Sequence, residues 1–139
     1  MKLLIYGHKG WIGQQVAGLL YKRENNGGSY ILGNARVDNT PAVASEIDTV
    51  KPTHILSLIG RTHGRIDGQT YSTIDYLEQP GKLTENIRDN LFSPVSLALL
   101  CKERGIHLTY LGTGCIFTYP NGPDDPGEGF SEGDLPNFT

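Results

Sequence analysis

Short apolar runs alternate along this chain with stretches whose apolar residues recur every three or four positions. Lys2–Tyr6 is a compact apolar run and predicts a buried strand. Ile12, Val16, Leu19 and Leu20 then recur at i, i+4, i+7 and i+8, which predicts a helix from about Trp11 to Lys22. Asn25-Asn26-Gly27-Gly28 ends it, and Ser29–Leu32 predicts a short second strand. Asn39-Thr40-Pro41 is a helix start with proline at the first helical position. Val43, Ile47 and Val50 mark the buried face of that helix, and Lys51-Pro52 stops it. Thr53–Ile59 is rich in β-branched and apolar residues and predicts a third strand. Gly60–Gly81 is polar and glycine-bearing, and predicts a long loop. In Leu83–Arg104 the apolar positions, Leu91, Val95, Leu99 and Leu100 among them, cover much of a helix circumference. This predicts a well-buried tract, kinked or divided at Pro94 and capped by Gly105. His107–Leu111 predicts the last strand.

The predicted order is β-α-β-α-β-loop-α-β. Such alternation argues for an α/β fold, a Rossmann-like doubly wound parallel sheet with right-handed crossovers. Ligands in such sheets bind beyond the carboxyl ends of the strands. The segments GHKG, GRTHG and GTGC all fall there. A length of 139 residues fits one domain. The formal net charge of -3 provides no basic footprint for nucleic acid. No apolar run approaches the ~20 residues of a membrane span. Trp11 and the glycine turn interrupt the apolar start, so no secretory signal is read and a cytoplasmic protein is expected. Cys101 and Cys115 alone make neither a disulfide framework nor a metal site.

Candidate chemistry gathers at the strand ends. The loop holding Gly7, Lys9, Gly10, Trp11, Ile12 and Gly13 lies between a strand and a helix. Glycines let the backbone turn and approach a pyrophosphate, and the helix N-terminus offers free N–H groups. The spacing is G-x-x-G-x-x-G rather than the commoner G-x-G-x-x-G, and a plain strand–helix turn is the alternative. After the second strand, Arg36 follows with no carboxylate directly at the strand end, which favours NADP(H) while leaving NAD open. A solvated surface arginine is the plain reading there. Gly60 would let backbone approach a cofactor, Thr62 is a candidate donor to ribose or phosphate, and His63 is a candidate acid–base group. Thr113 and Cys115 lie on one side of the last strand's end. The hydroxyl is suited to holding a carbonyl oxygen and the thiol to moving a proton, although a lone cysteine commonly just packs.

Taken together, GHKGWIG, VKPTHILSLIGRTHG, ENIRDNL, LTYLGTGCIF and GFSEGDLPNFT resemble the extended short-chain dehydrogenase/reductase family, in its nucleotide-sugar branch. Within that branch the chain is most similar to the bifunctional 3,5-epimerase/4-reductases that complete UDP- or dTDP-L-rhamnose. The resemblance implies an NADPH-dependent enzyme acting on a 4-keto-6-deoxyhexose nucleotide. It implies that Thr113 is the Ser/Thr of a Ser/Thr–Tyr–Lys group. It implies that Cys115 matches the cysteine serving as epimerisation acid/base in GDP-fucose synthases, and that Asn90 lies on the helix beneath the site. Arg36 falls where the family discriminates its cofactor. A homodimer is admitted, but not determined, by the sequence.

One departure stands out. None of the tyrosines (6, 21, 30, 71, 76, 110 and 119) has lysine four residues later, so the family's Tyr-x-x-x-Lys pair is missing. In the family that pair follows PNFTG-type sequence within a few residues. The expectation is therefore that residues 1–139 are an NAD(P)-binding Rossmann-like domain, with the C-terminal substrate region absent. The alternative is a non-catalytic nucleotide-binding or regulatory subunit that keeps the fold without the chemistry.

Overall fold

The computed structural model of the protein describes residues 1–22, 29–112, 117–119 and 129–137. Four parallel strands form the sheet: β1 (Lys2–Tyr6), β2 (Ser29–Leu32), β3 (His54–Ser57) and β6 (His107–Tyr110), in the spatial order β2-β1-β3-β6. Leu4 is in register with Ile31 on one side and Ile55 on the other, which fixes the centre of the sheet. The chain leaves β1 in one direction, through α1 (Trp11–Lys22) to β2. It then moves the other way, through α2 (Thr40–Val50) to β3 and on to β6. Right-handed crossovers therefore put α1 on one face and α2 with α5 (Ser93–Arg104) on the other. The core lies on that second face, where Leu4, Tyr6 and Ile55 meet Val43 and Ile47 of α2 and Leu97, Leu100 and Cys101 of α5. Burial pushes the Cys101 thiol up to about 11, so it packs as a small apolar group.

Each of two helices turns only part of its apolar set inward. In α1 the inward positions are Gly13, Val16, Ala17 and Leu20, whereas Ile12 and Leu19 are exposed. The glycine turn sets this phase, because Gly13 itself has to sit against the turn. The 83–104 tract is also not buried all round. Ser93, Leu97, Leu100 and Cys101 face the core, while Leu91, Val95 and Leu99 form an exposed row. Its apolar residues thus belong to two faces, and only one of them meets the sheet.

The polar segment after β3 is structured. β4 (Gly64–Ile66) and β5 (Gln69–Tyr71) form an antiparallel hairpin. Its two turn residues, Asp67 and Gly68, have φ of +47° and +86°, the positive values that a tight hairpin turn requires. A short helix α3 (Asp75–Glu78) follows, and Tyr76 packs so closely over Gly64 that a Cβ there would collide with its ring. The helical tract then runs as α4 (Leu83–Asn86), a π-helical stretch Ile87–Phe92, and α5. The π register has a local cause. Both the Ser93 N–H and its hydroxyl reach the Arg88 carbonyl, five residues back. Pro94, lacking an N–H, does not compete to restore the α register.

Among the described residues, no helix is long and apolar enough to cross a membrane.

Candidate functional site

The point where the strand order reverses, between β1 and β3, opens into a cleft of about 450 Å³ at the carboxyl ends of the strands. Four segments wall it: the β1–α1 turn, the loop after β2, residues Leu58–Arg61 after β3, and Asp89 with Ser93 of the helical tract.

Each glycine of the β1–α1 turn answers a different demand. Gly7 has φ of +81°, and a Cβ there would lie 2.6 Å from the Leu58 carbonyl carbon. A Cβ on Gly13 would lie 2.6 Å from the His8 Cα. Both are glycine because the protein's own backbone leaves no room. Gly10 differs: its Cβ would meet only the Gly7 carbonyl oxygen, at an ordinary 3.4 Å, and its other side faces the cleft. Among the described residues, no internal contact requires glycine at position 10. The first intrahelical bond of α1 runs from Gln14 N–H to Gly10 O, so the amides of residues 11–13 precede it. No acidic side chain lies in the first turn to compete for them. His8 Nδ1 is buried in the same turn with no hydrogen-bond partner among the described residues. A turn with spare amides and a bare glycine facing open space suits an anionic phosphate.

The opposite rim carries an alternating row of charges. Arg36 grips Asp38 through two bonds, Nε–Oδ1 at 3.1 Å and Nη2–Oδ2 at 2.9 Å. Arg88 lies 3.5 Å from Asp38 and holds Asp89 at 2.7 and 3.0 Å. Arg61 reaches Asp89 from the other side, at 3.3 Å. The Arg36 guanidinium holds the Asp38 carboxyl below the usual carboxylate range. Arg88, against the cost of burial, does the same for Asp89. Asn90 fastens the same wall: its Oδ1 accepts the Arg61 N–H at 2.8 Å and its Nδ2 donates to the Arg61 carbonyl at 2.9 Å. The π-helical stretch makes this possible by presenting Asp89 and Asn90 together to Arg61.

The residues singled out from the sequence divide as follows. Gly7, Lys9, Gly10, Arg36, Gly60 and His63 line the cleft. Gly13 lies beneath the turn, and Asn90 acts through Arg61. Trp11 and Ile12 are exposed at the start of α1, and Thr62 is exposed beside His63. Thr113 and Cys115 lie outside the described residues. Asp38, Asp89 and Glu46 join the site through partners that a single residue type does not reveal. No carboxylate stands at the end of β2 itself; Asp38 lies further along the loop, two residues past Arg36 and bonded to it. That i, i+2 spacing was visible. The part Asp89 plays was not, because Arg61, the cleft residue that it also holds, is distant in sequence.

No protein-family model matches the chain. It is 51% identical over 138 residues, 99% of its length, to the uncharacterized protein L780 of Acanthamoeba polyphaga mimivirus. The crystal structure of that protein, described as a UDP-rhamnose synthase, superimposes on the whole chain with a TM-score of 0.78. A bifunctional dTDP-4-dehydrorhamnose 3,5-epimerase/reductase of Arabidopsis thaliana is 40% identical over 138 residues, 98% of the chain. The dTDP-4-dehydrorhamnose reductase of Bacillus anthracis, solved in complex with NADP, shares the fold at 17% identity, with a TM-score of 0.66 over 85% of the chain and 38% of its own. The chain spans less than half of the relatives it matches: 45% of the viral protein (46% of the chain in its crystal structure) and 42% of the plant enzyme. It is a homologue of the viral and plant proteins along essentially its whole length, and its fold is the Rossmann fold that the bacterial reductase shares.

Proposed function

We propose that this homologue of the rhamnose-forming enzymes is the cofactor-binding part of a nucleotide-sugar 3,5-epimerase/4-reductase. Its product would be a nucleotide-L-rhamnose, and the cleft would take NADP(H). The observation that carries the reading is Gly10, a glycine that no contact among the described residues requires, at a helix start with spare amides. The β1–α1 turn would hold the pyrophosphate, and the loop of Asn34–Asp38 would take the adenosine side. The bound cofactor supplies hydride for reduction at sugar C4. Arg36 would bind the 2′-phosphate, and Asp38 decides how much of its charge is free to do so.

Calorimetric titration of the 139-residue chain with NADPH and NADH tests this. NADPH is expected to bind at least tenfold tighter, because a charge-assisted contact contributes about 1.5–3 kcal/mol. Arg36→Ala should erase that preference and leave NADH binding unchanged. Equal affinities in the parent chain, or a variant that loses both nucleotides alike, would overturn the assignment of Arg36.

Thr113 and Cys115 enter the proposal through the family resemblance. Thr113 would hold the C4 carbonyl, and Cys115 would exchange protons at C3 and C5. In a longer protein carrying the Tyr-x-x-x-Lys pair, Cys115→Ser should stop solvent deuterium uptake at C3 and C5 while sparing reduction of an already epimerised substrate. Undiminished uptake would remove Cys115 from the chemistry. A homodimer also belongs to the proposal, with the exposed row Leu91, Val95 and Leu99 as the surface to mutate and light scattering as the reading.

A further inference from the structure

Behind the loop that follows β2, three parts of the chain converge on one carboxylate that does not line the cleft. Glu46, on α2, accepts the Asn34 N–H on Oε1 at 2.7 Å. Its Oε2 accepts the Ala35 N–H at 3.1 Å and the Tyr6 hydroxyl at 2.8 Å. Tyr6 is 1% exposed, and its ring runs beneath Gly33, where a Cβ would lie 2.6 Å from Cδ1. Gly33 in turn prolongs the sheet by donating to the Ile5 carbonyl at 2.8 Å. The loop's next residues, Asn34, Ala35 and Arg36, do line the cleft. The path of this wall is thus held from behind by one side chain. Its two loop donors are backbone amides, available whatever side chains stand at 34 and 35.

We propose that Glu46 is a positioning residue that sets the nucleotide selectivity of the cleft, by holding residues 34–36 so that Arg36 reaches the 2′-phosphate. The inference rests on the cofactor reading given above. Glu46 does not bind the ribose itself, because its two oxygens are already engaged by three donors. Its effect on the ligand passes through the loop.

The chemistry allows a clean test. In Glu46→Gln one oxygen becomes an N–H₂ donor, while two backbone N–H groups still point at the site. The Tyr6 hydroxyl can rotate to accept, but a backbone amide has no such freedom, so one loop amide loses its partner. Tyr6→Phe is the control, since it removes a donor to Glu46 and leaves both loop amides bonded. In the 139-residue chain, hydrogen exchange at the Asn34 and Ala35 amides is expected to quicken in Glu46→Gln and to stay slow in Tyr6→Phe. NADPH affinity should fall about tenfold in Glu46→Gln, with NADH affinity changed less than threefold. Tyr6→Phe should lower the melting temperature yet keep NADPH affinity within twofold. If both variants lose affinity in proportion to their loss of stability, or if Glu46→Gln keeps the parent's NADPH preference, Glu46 is merely structural and the proposal falls. A parent chain that binds neither nucleotide overturns the cofactor reading itself, and this inference with it.

Discussion

Gly10→Val should abolish NADPH binding while the chain stays folded. The position tolerates a Cβ, since the nearest protein atom would be the Gly7 carbonyl oxygen at 3.4 Å. Valine at a helix start forgoes some capping, a cost of about 1 kcal/mol. That lowers the melting temperature by roughly 4 °C for a domain of this size. The binding effect is far larger. The two γ-methyls would occupy the space in front of the amides of residues 11–13, where the proposed pyrophosphate would sit. A loss of about a hundredfold or more is expected, worth roughly 2.7 kcal/mol. Circular dichroism and calorimetry on one sample separate the two effects. A variant that binds NADPH with near-parent affinity would mean that the pyrophosphate lies elsewhere.

Three residues earlier in the same turn, Gly7→Ala should do the reverse and cost the fold. A single methyl group there would lie 2.6 Å from both the carbon and the oxygen of the Leu58 carbonyl, and 2.9 Å from the Ile59 amide nitrogen. These are backbone atoms at the end of a central strand, so nothing flexible can yield. The φ of +81° adds strain of about 1–3 kcal/mol for any residue but glycine. Together these take a large part of the ~5–15 kcal/mol that holds a domain of this kind folded. The expected result is a chain with no cooperative melting transition or one displaced by tens of degrees. A Gly7→Ala variant that melts within a few degrees of the parent would show that β1 and β3 separate more easily here than their close approach implies. The contrast carries the point: two glycines of one turn, one required by the protein's own backbone and the other by what the cleft takes.

Much of this was legible in the amino-acid order. The strands and the first two helices announce themselves because each depends on neighbours within a few residues. Apolar runs, the Pro41 helix start and the Lys51-Pro52 stop are local signals, and α1 spans Trp11–Lys22 as the periodicity predicts. The parallel, doubly wound order follows from the same alternation, since short strands joined by helices have few other ways to pack. The hairpin at Ile66-Asp67-Gly68-Gln69 was also written locally, in its Asp-Gly turn, but a polar composition masked it. What only the tertiary structure decided are the contacts between residues far apart in sequence. Which face of α1 turns inward depends on Gly13 meeting His8, a steric fact of the turn rather than of the helix. That Arg61 is held by Asp89 and Asn90, across 28 and 29 residues, depends on a π-helical register that no periodicity announces. Glu46, a polar position on an amphipathic helix, reads as a solvated residue. Only when β1, the loop after β2 and α2 are folded together do two amides and a buried hydroxyl face it, and a buried donor must find an acceptor wherever the fold brings one.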